Sequence, residues 1–83
     1  MAEEKIGDVE KFFGKISVAM IKLSAPLKMG DTIKFKGHTT DVTQTVDSMQ
    51  VANQPTPEAK AGDEVGLKTK DKVRPGDTVY KVT

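Results

Sequence analysis

The side chains that could do chemistry in this chain are few and scattered. His38 is the sole histidine of the 83 residues, and the chain has no cysteine. A zinc cluster and a triad with a second imidazole are therefore excluded. No nucleophile lies beside a base in the sequence. We predict no catalytic residue, no metal and no cofactor, and hence a protein that is not an enzyme.

Three carboxylates recur in one local pattern. Asp31, Asp63 and Asp77 each follow a glycine in a basic-x-Gly-Asp sequence. Glycine supplies the positive φ that tight turns require, and an Asp side chain can accept hydrogen bonds from nearby backbone N–H groups. The pattern lacks the Asp-x-Asp-x-Asp-Gly spacing of a calcium loop. We predict that these three residues build turns.

Four lysines are the best candidates for binding. Lys34 and Lys36 alternate on one predicted strand and Lys68 and Lys70 on another, so each pair projects from one face. If both strands line one groove, four ammonium groups could follow a phosphate backbone with salt-sensitive affinity. With His38 as a further contact to a phosphate or a base, these five are the predicted RNA-binding residues. The alternative is ordinary solvated surface, with lysines guarding sheet edges.

The charge is unevenly distributed along the chain. Residues 11–36 and 65–83 are rich in lysine, whereas residues 41–64 are mainly acidic, although the formal net charge is only +1. If the basic segments lie side by side in the fold, a positive face and a negative face follow.

Alternating apolar residues predict an all-β fold in a single domain over residues 1–83. We expect residues 1–4 to be frayed and residues 53–59, with their two prolines, to form a loop. On the third strand, Ile33 and Phe35 should point into the core. The predicted strands cover about 6–13, 16–23, 32–36, 42–52, 65–70 and 78–83.

Two breaks in the alternation predict β-bulges. Ile16, Val18 and Met20 share one parity, and the apolar residues that follow up to position 23 have the other, so a bulge is expected within 16–23. A second is expected at Asp47–Ser48. Bulges and glycine turns favour a closed antiparallel β-barrel of six or seven strands, which also removes exposed sheet edges.

Adjacent aromatic residues near the start of the chain bear on the kind of partner. Because neighbouring side chains of a strand alternate, one of Phe12 and Phe13 must point outward. An exposed apolar patch around either would favour a protein partner over RNA.

The sequence also predicts a cytoplasmic location and no membrane partner. No apolar run approaches the roughly 20 residues of a membrane helix, and the acidic N-terminus lacks the apolar core of a signal peptide. The lack of cysteine is compatible with a reducing compartment.

Several of these stretches resemble known barrels. Lys28–Ile33, Val46–Gln50 and Ala61–Leu67 resemble the β-barrel second domain of translational GTPases of the elongation factor Tu type. Gly37–Gln44 resembles more closely the C-terminal barrel of collagenase-like peptidases and the translation elongation factor-like proteins. The likeness extends from Ile6 to Val82, and its motifs are turn and strand chemistry.

The resemblance implies two functions. One is a non-enzymatic module of the translation-factor second-domain type that contacts tRNA, rRNA or a ribosomal surface through the basic strand face. The other is a protein–protein interaction accessory domain equivalent to the peptidase barrel. The segment 14–17 lacks the upstream glycine and the adjacent hydroxyl of a phosphate-binding loop, so we expect no nucleotide partner.

Overall fold

The computed structural model describes residues 2–52 and 54–82. Within these ranges the chain forms ten β-strands and no helix, which confirms the all-β prediction. The strands are β1 (Glu3–Phe13), β2 (Val18–Leu23), β3 (Leu27–Lys28), β4 (Thr32–Lys36), β5 (Asp41–Thr45), β6 (Met49–Val51), β7 (Gln54–Pro55), β8 (Glu58–Ala59), β9 (Glu64–Lys68) and β10 (Thr78–Val82).

The main sheet is an open, curled sheet, and the prediction of a closed barrel of six or seven strands is wrong. Eight antiparallel strands follow the order β5-β4-β10-β1-β2-β9-β6-β7, and β3 and β8 form a separate ribbon. β5 and β7 are the two edges of this sheet, and no strand pairing joins them. After β5 the chain stays beside the segment that precedes β4: the Val46 N–H donates to the Asp31 carbonyl at 2.9 Å, and the Gly30 N–H donates to the Val46 carbonyl at 3.0 Å.

A side-chain amide bridges the gap where a strand ladder would otherwise close the sheet. Gln44 on β5 donates from Nε2 to the carbonyl of Lys68 at 2.8 Å, and its Oε1 accepts from the backbone N–H of Lys70 at 2.7 Å. The curl therefore brings β5 next to the end of β9 without strand pairing between them.

The core fills the inside of the curl. Ile33 and Phe35 are both fully buried, as the alternation on β4 predicts. Side chains from the neighbouring strands meet them in one continuous cluster. Its other members are Ile6, Val9, Ala19, Ile21, Leu23, Leu27, Val46, Met49, Ala59, Val65, Leu67, Val73 and Val79.

The three basic-x-Gly-Asp segments form three matching turns. Their glycines have φ values of 90°, 94° and 92° at Gly30, Gly62 and Gly76. Each carboxylate accepts a hydrogen bond from the backbone N–H three residues earlier, at 2.9 Å for Asp31, 3.0 Å for Asp63 and 2.8 Å for Asp77. These geometries confirm the predicted turn chemistry.

The bulge predicted within residues 16–23 is not in that segment. β2 pairs in continuous register with β9, and the shift lies on β1, between Val9 and Lys11. The parity changes in the sequence because both faces of β2 are apolar: Ala19 and Ile21 point inward, whereas Val18 and Met20 point outward. The predicted break at Asp47–Ser48 does coincide with the gap between β5 and β6.

The start of the chain and the segment 54–59 carry more structure than expected. Glu3 pairs with Val82, so the sheet already includes residue 3 of the predicted frayed end. The segment 53–59 contains β7 and β8. Pro55 fits in β7 because that strand ends the sheet and needs no second partner. Met1, Asn53 and Thr83 lie outside the described residues.

Candidate interaction surface

The structure divides the five predicted RNA-binding residues between two places. Lys68 and Lys70 line one polar groove beside β5. Lys34 and Lys36 lie on β4, and His38 lies in the turn that follows, outside the lining of that groove. Lys34 is nevertheless next to this groove, because its cross-strand partner Thr43 lines it. RNA contact through these five residues stays a prediction.

Ion pairs cross the outer side of β4, β10 and β1, which we call the ion-pair face. Lys34 Nζ lies 3.9 Å from Glu3 Oε2 and 4.0 Å from Asp41 Oδ1, and 23% of its side chain is exposed. Lys81 on β10 lies opposite Ile33 and so points to the inner side of the sheet, where its Nζ lies 3.5 Å from Asp31 Oδ2. Carboxylates thus already neutralise part of the charge that an RNA backbone would need to meet.

His38 is exposed, and its imidazole takes no part in closing its own turn. The backbone bond from Gly37 N–H to the Thr40 carbonyl, at 2.9 Å, closes that turn instead. Among the described residues the imidazole has no hydrogen-bond or ion-pair partner.

Residues 2–52 and 54–82 contain no group of three or more His, Asp or Glu side chains placed to hold a metal ion. The same residues include no helix with the length and apolar character needed to cross a membrane.

An apolar surface lies on the outer side of β1 and β2, beyond the ion pairs. Phe13 on β1 pairs with Val18 on β2, and Lys11 pairs with Met20, so these side chains share one face. Phe13 is 45% exposed and Ile16, in the turn that joins the two strands, is 60% exposed. Phe12 packs against the core. The prediction that one of the two phenylalanines points outward is confirmed.

Gly66 leaves a trough in this surface. It lies on β9 directly between Met20 on β2 and Gln50 on β6 and has no side chain to fill the space. The result is a groove of about 580 Å³, which we call the β2–β9 groove. Its apolar lining comprises Phe13, Ile16, Val18, Met20, Val51 and the backbone of Gly66.

A buried threonine holds the turn that carries Ile16. The Thr69 N–H donates to the Ser17 carbonyl at 2.7 Å, and Thr69 Oγ1 lies 3.3 Å from the same oxygen. Ser17 itself has a φ of 53°. The turn is thereby fixed against the end of β9, and Ile16 is presented at the edge of the groove.

The end of the β2–β9 groove next to β1 is charged. The carboxylates of Glu10 and Glu64 lie beside Phe13 and Met20. In the described part of the chain neither carboxylate forms an ion pair or a hydrogen bond. Carboxylates without partners at the border of an apolar groove are well placed to meet a cation on a partner.

Sequence reasoning anticipated an outward phenylalanine but missed the part of this surface on β2, because it explained the parity change there by a bulge. The sequence did contain a signal for it. Val18, Met20 and Ile21 are large apolar residues that occupy both parities of one short strand. A strand with two apolar faces explains this pattern as well as a bulge does. An apolar face that points outward indicates an interaction surface.

The comparison with solved structures identifies the class of fold. Two crystal structures of the C-terminal domain of a putative U32 peptidase of Geobacillus thermoleovorans superpose with TM-scores of 0.89 and 0.86, each at 19% identity. The matches cover 96% and 92% of this chain and 93% and 96% of those chains. The protein therefore has the fold of that peptidase C-terminal domain. No family model matches the chain.

The relatives found by sequence are proteases. An uncharacterized protease of Methanocaldococcus jannaschii is 47% identical over 77 residues, and a collagenase of Porphyromonas gingivalis is 33% identical over 78 residues. Each match covers 92% of this chain but only 19% and 22% of the relative. The chain thus spans about a fifth of the length of the curated relatives it matches. These findings support the resemblance to the C-terminal domain of the peptidases. They give no support to the resemblance to translation factors.

Proposed function

We propose that this chain is a non-catalytic accessory domain that binds the peptidase portion of proteins like its relatives. The observation that carries the proposal is the unequal coverage of the matches. Nearly all of this chain, 92%, corresponds to only 19% of the M. jannaschii protease. About four-fifths of that protease lies outside the match. In this proposal the matching domain binds to that larger portion.

The chemistry of the surface supports binding rather than catalysis. Phe13 and Ile16 expose large apolar side chains next to the outward residues of β2. Contiguous exposed apolar patches on small domains mark interaction sites, because burying them against a partner is favourable. RNA contact has weaker support, since carboxylates already pair with Lys34.

A direct titration tests this function. The M. jannaschii protease without its 77 matching residues is first shown by circular dichroism and a cooperative thermal transition to be folded, and is then titrated with this chain by isothermal titration calorimetry. We expect a dissociation constant of about 10 μM or tighter, since weak specific protein contacts fall in this range. Nuclease treatment should leave the affinity unchanged.

A parallel titration with tRNA tests the rival function. Two results together would contradict the proposal: failure to bind the protease portion, and tRNA binding that weakens steeply with salt. They would favour RNA binding through the basic residues.

A further inference from the structure

The glycine at the floor of the β2–β9 groove is not required by the backbone. Gly66 lies in the interior of β9, which pairs with β2 on one side and β6 on the other, and its φ is outside the left-handed region. A Cβ there would lie 3.5 Å from both Met20 Sδ and Val18 Cγ1, an ordinary contact distance. A strand glycine without a conformational reason marks the close approach of another group. Here the missing side chain leaves room for one from outside the domain.

Unusual backbone conformations flank the same groove. Within residues 2–52 and 54–82, Ser17 and Ala52 are the non-glycine residues with positive φ, at 53° each. Ser17 lies between Ile16 and Val18 on the β2 side, and Ala52 follows Val51 on the β6 side. Both residues lie in the turns of hairpins, where positive φ is common. The two turns border the groove on opposite sides.

The charges at the groove favour a basic partner. Lys22 is engaged, because its Nζ donates to the Gly62 carbonyl at 3.0 Å. Among the described residues the side chains of Glu10, Glu64 and Lys11 have no partner, so two free carboxylates stand against one free ammonium group. Acidic side chains also outnumber basic ones. The charged residues along the groove and its β1 end are Glu10, Lys11, Lys22, Asp63 and Glu64.

We propose, building on the accessory function above, that the β2–β9 groove is the surface on which the peptidase portion docks. The docking segment inserts an apolar side chain over Gly66 and places a Lys or Arg against Glu10 and Glu64. Because β9 already has a strand on each side, the segment binds through side chains and does not extend the sheet.

The test fills the trough without weakening the strand. Gly66→Val adds a side chain that favours β-structure, so the unfolding midpoint should stay the same or rise. Affinity for the M. jannaschii protease lacking its matching residues should fall at least about 30-fold, as expected when a central pocket is blocked. Thr45→Val on β5 is the matched control and should bind as the unchanged chain does.

A second pair of variants tests the charge. Glu10→Lys with Glu64→Lys should lower the affinity about 10-fold, and the loss should shrink at high salt. Glu58→Lys on β8 is the control for a general charge effect and should leave binding intact.

The outcomes separate the docking surface from the function. Unchanged affinity of Gly66→Val, with normal binding by the unchanged chain, overturns the docking surface and leaves the accessory function standing. If the unchanged chain does not bind at all, both are overturned. If Gly66→Val lowers the unfolding midpoint, Met20→Gln replaces it, and the same fall in affinity is expected.

Discussion

Two regions of the sheet's outer surface share the same strand alternation but expose different kinds of side chain. On the ion-pair face, β4 buries Ile33 and Phe35 and turns Lys34 outward toward two carboxylates. On the β2–β9 groove side, β2 also buries alternate residues but turns Val18 and Met20 outward. On the ion-pair face, Lys34 pairs with carboxylates of the same domain. The groove instead exposes apolar side chains and carboxylates that have no partner among the described residues. The residues that face solvent, more than those in the core, therefore indicate where this domain meets another molecule.

The largest expected effect tests whether the groove belongs to the core. Phe35→Ala should lower the free energy of unfolding by about 3–5 kcal/mol, because it leaves a cavity at a fully buried site. Phe13→Ala, at a site with 45% exposure, should lower it by less than about 1 kcal/mol. Urea denaturation of both variants measures the difference. Equal losses would mean that Phe13 is a core residue and the groove is not a docking surface.

The next effect compares the two faces in binding. Phe13→Ser with Ile16→Ser should weaken binding to the truncated M. jannaschii protease about 100-fold, or about 2.7 kcal/mol, since both side chains lose their contact with the partner. Calorimetry measures the affinity. The matched pair Lys34→Ser and Lys36→Ser should bind normally. A similar loss in both pairs would break the distinction between the faces.

A smaller effect compares the turns that lead into each face. Asp77 precedes β10 of the ion-pair face and is 6% exposed, whereas Asp63 precedes β9 and is more exposed. Asp77→Ala should cost about 1–3 kcal/mol of unfolding free energy, because the Arg74 N–H loses the buried carboxylate that accepts its part-buried hydrogen bond. Asp63→Ala should cost about half as much, since water can replace the carboxylate. Thermal unfolding of the two variants gives the ranking, and a larger loss for Asp63→Ala would contradict it.

The smallest effect concerns the ion pairs themselves. Lys34→Ala should change the unfolding free energy by about 0.5 kcal/mol or less, because its contacts with Glu3 and Asp41 are long and reached by solvent. The change should vanish in high salt. Urea denaturation at two salt concentrations measures it. A loss above about 1.5 kcal/mol would show that the ion-pair face stabilises the fold more than its geometry indicates.

Local chemistry made much of the fold predictable. The repeated glycine and aspartate pattern determines the three turns, and the alternation on β4 determines that Ile33 and Phe35 are buried. The open form of the sheet was not predictable in the same way, because it depends on whether β5 finds a second strand, and here the side chain of Gln44 reaches β9 in place of a ladder.

The candidate site was harder to predict because it depends on facing residues from separate strands. The lysine alternation correctly places Lys34 and Lys36 on one strand, yet it cannot show that Glu3 and Asp41 come to lie beside Lys34. Nor can the sequence show that Gly66 lies between Met20 and Gln50, which requires the register of three strands.

The central claim is that a peptidase partner covers the β2–β9 groove and leaves the ion-pair face free. The most direct measurement is an NMR titration of the isotope-labelled chain with the truncated M. jannaschii protease. We expect the amide signals of Val18, Met20 and Gly66 to shift or broaden first, while those of Lys34 and Lys36 stay in place. Changes confined to Lys34 and Lys36, or no change on β2 and β9 when the partner is saturating, would contradict the account.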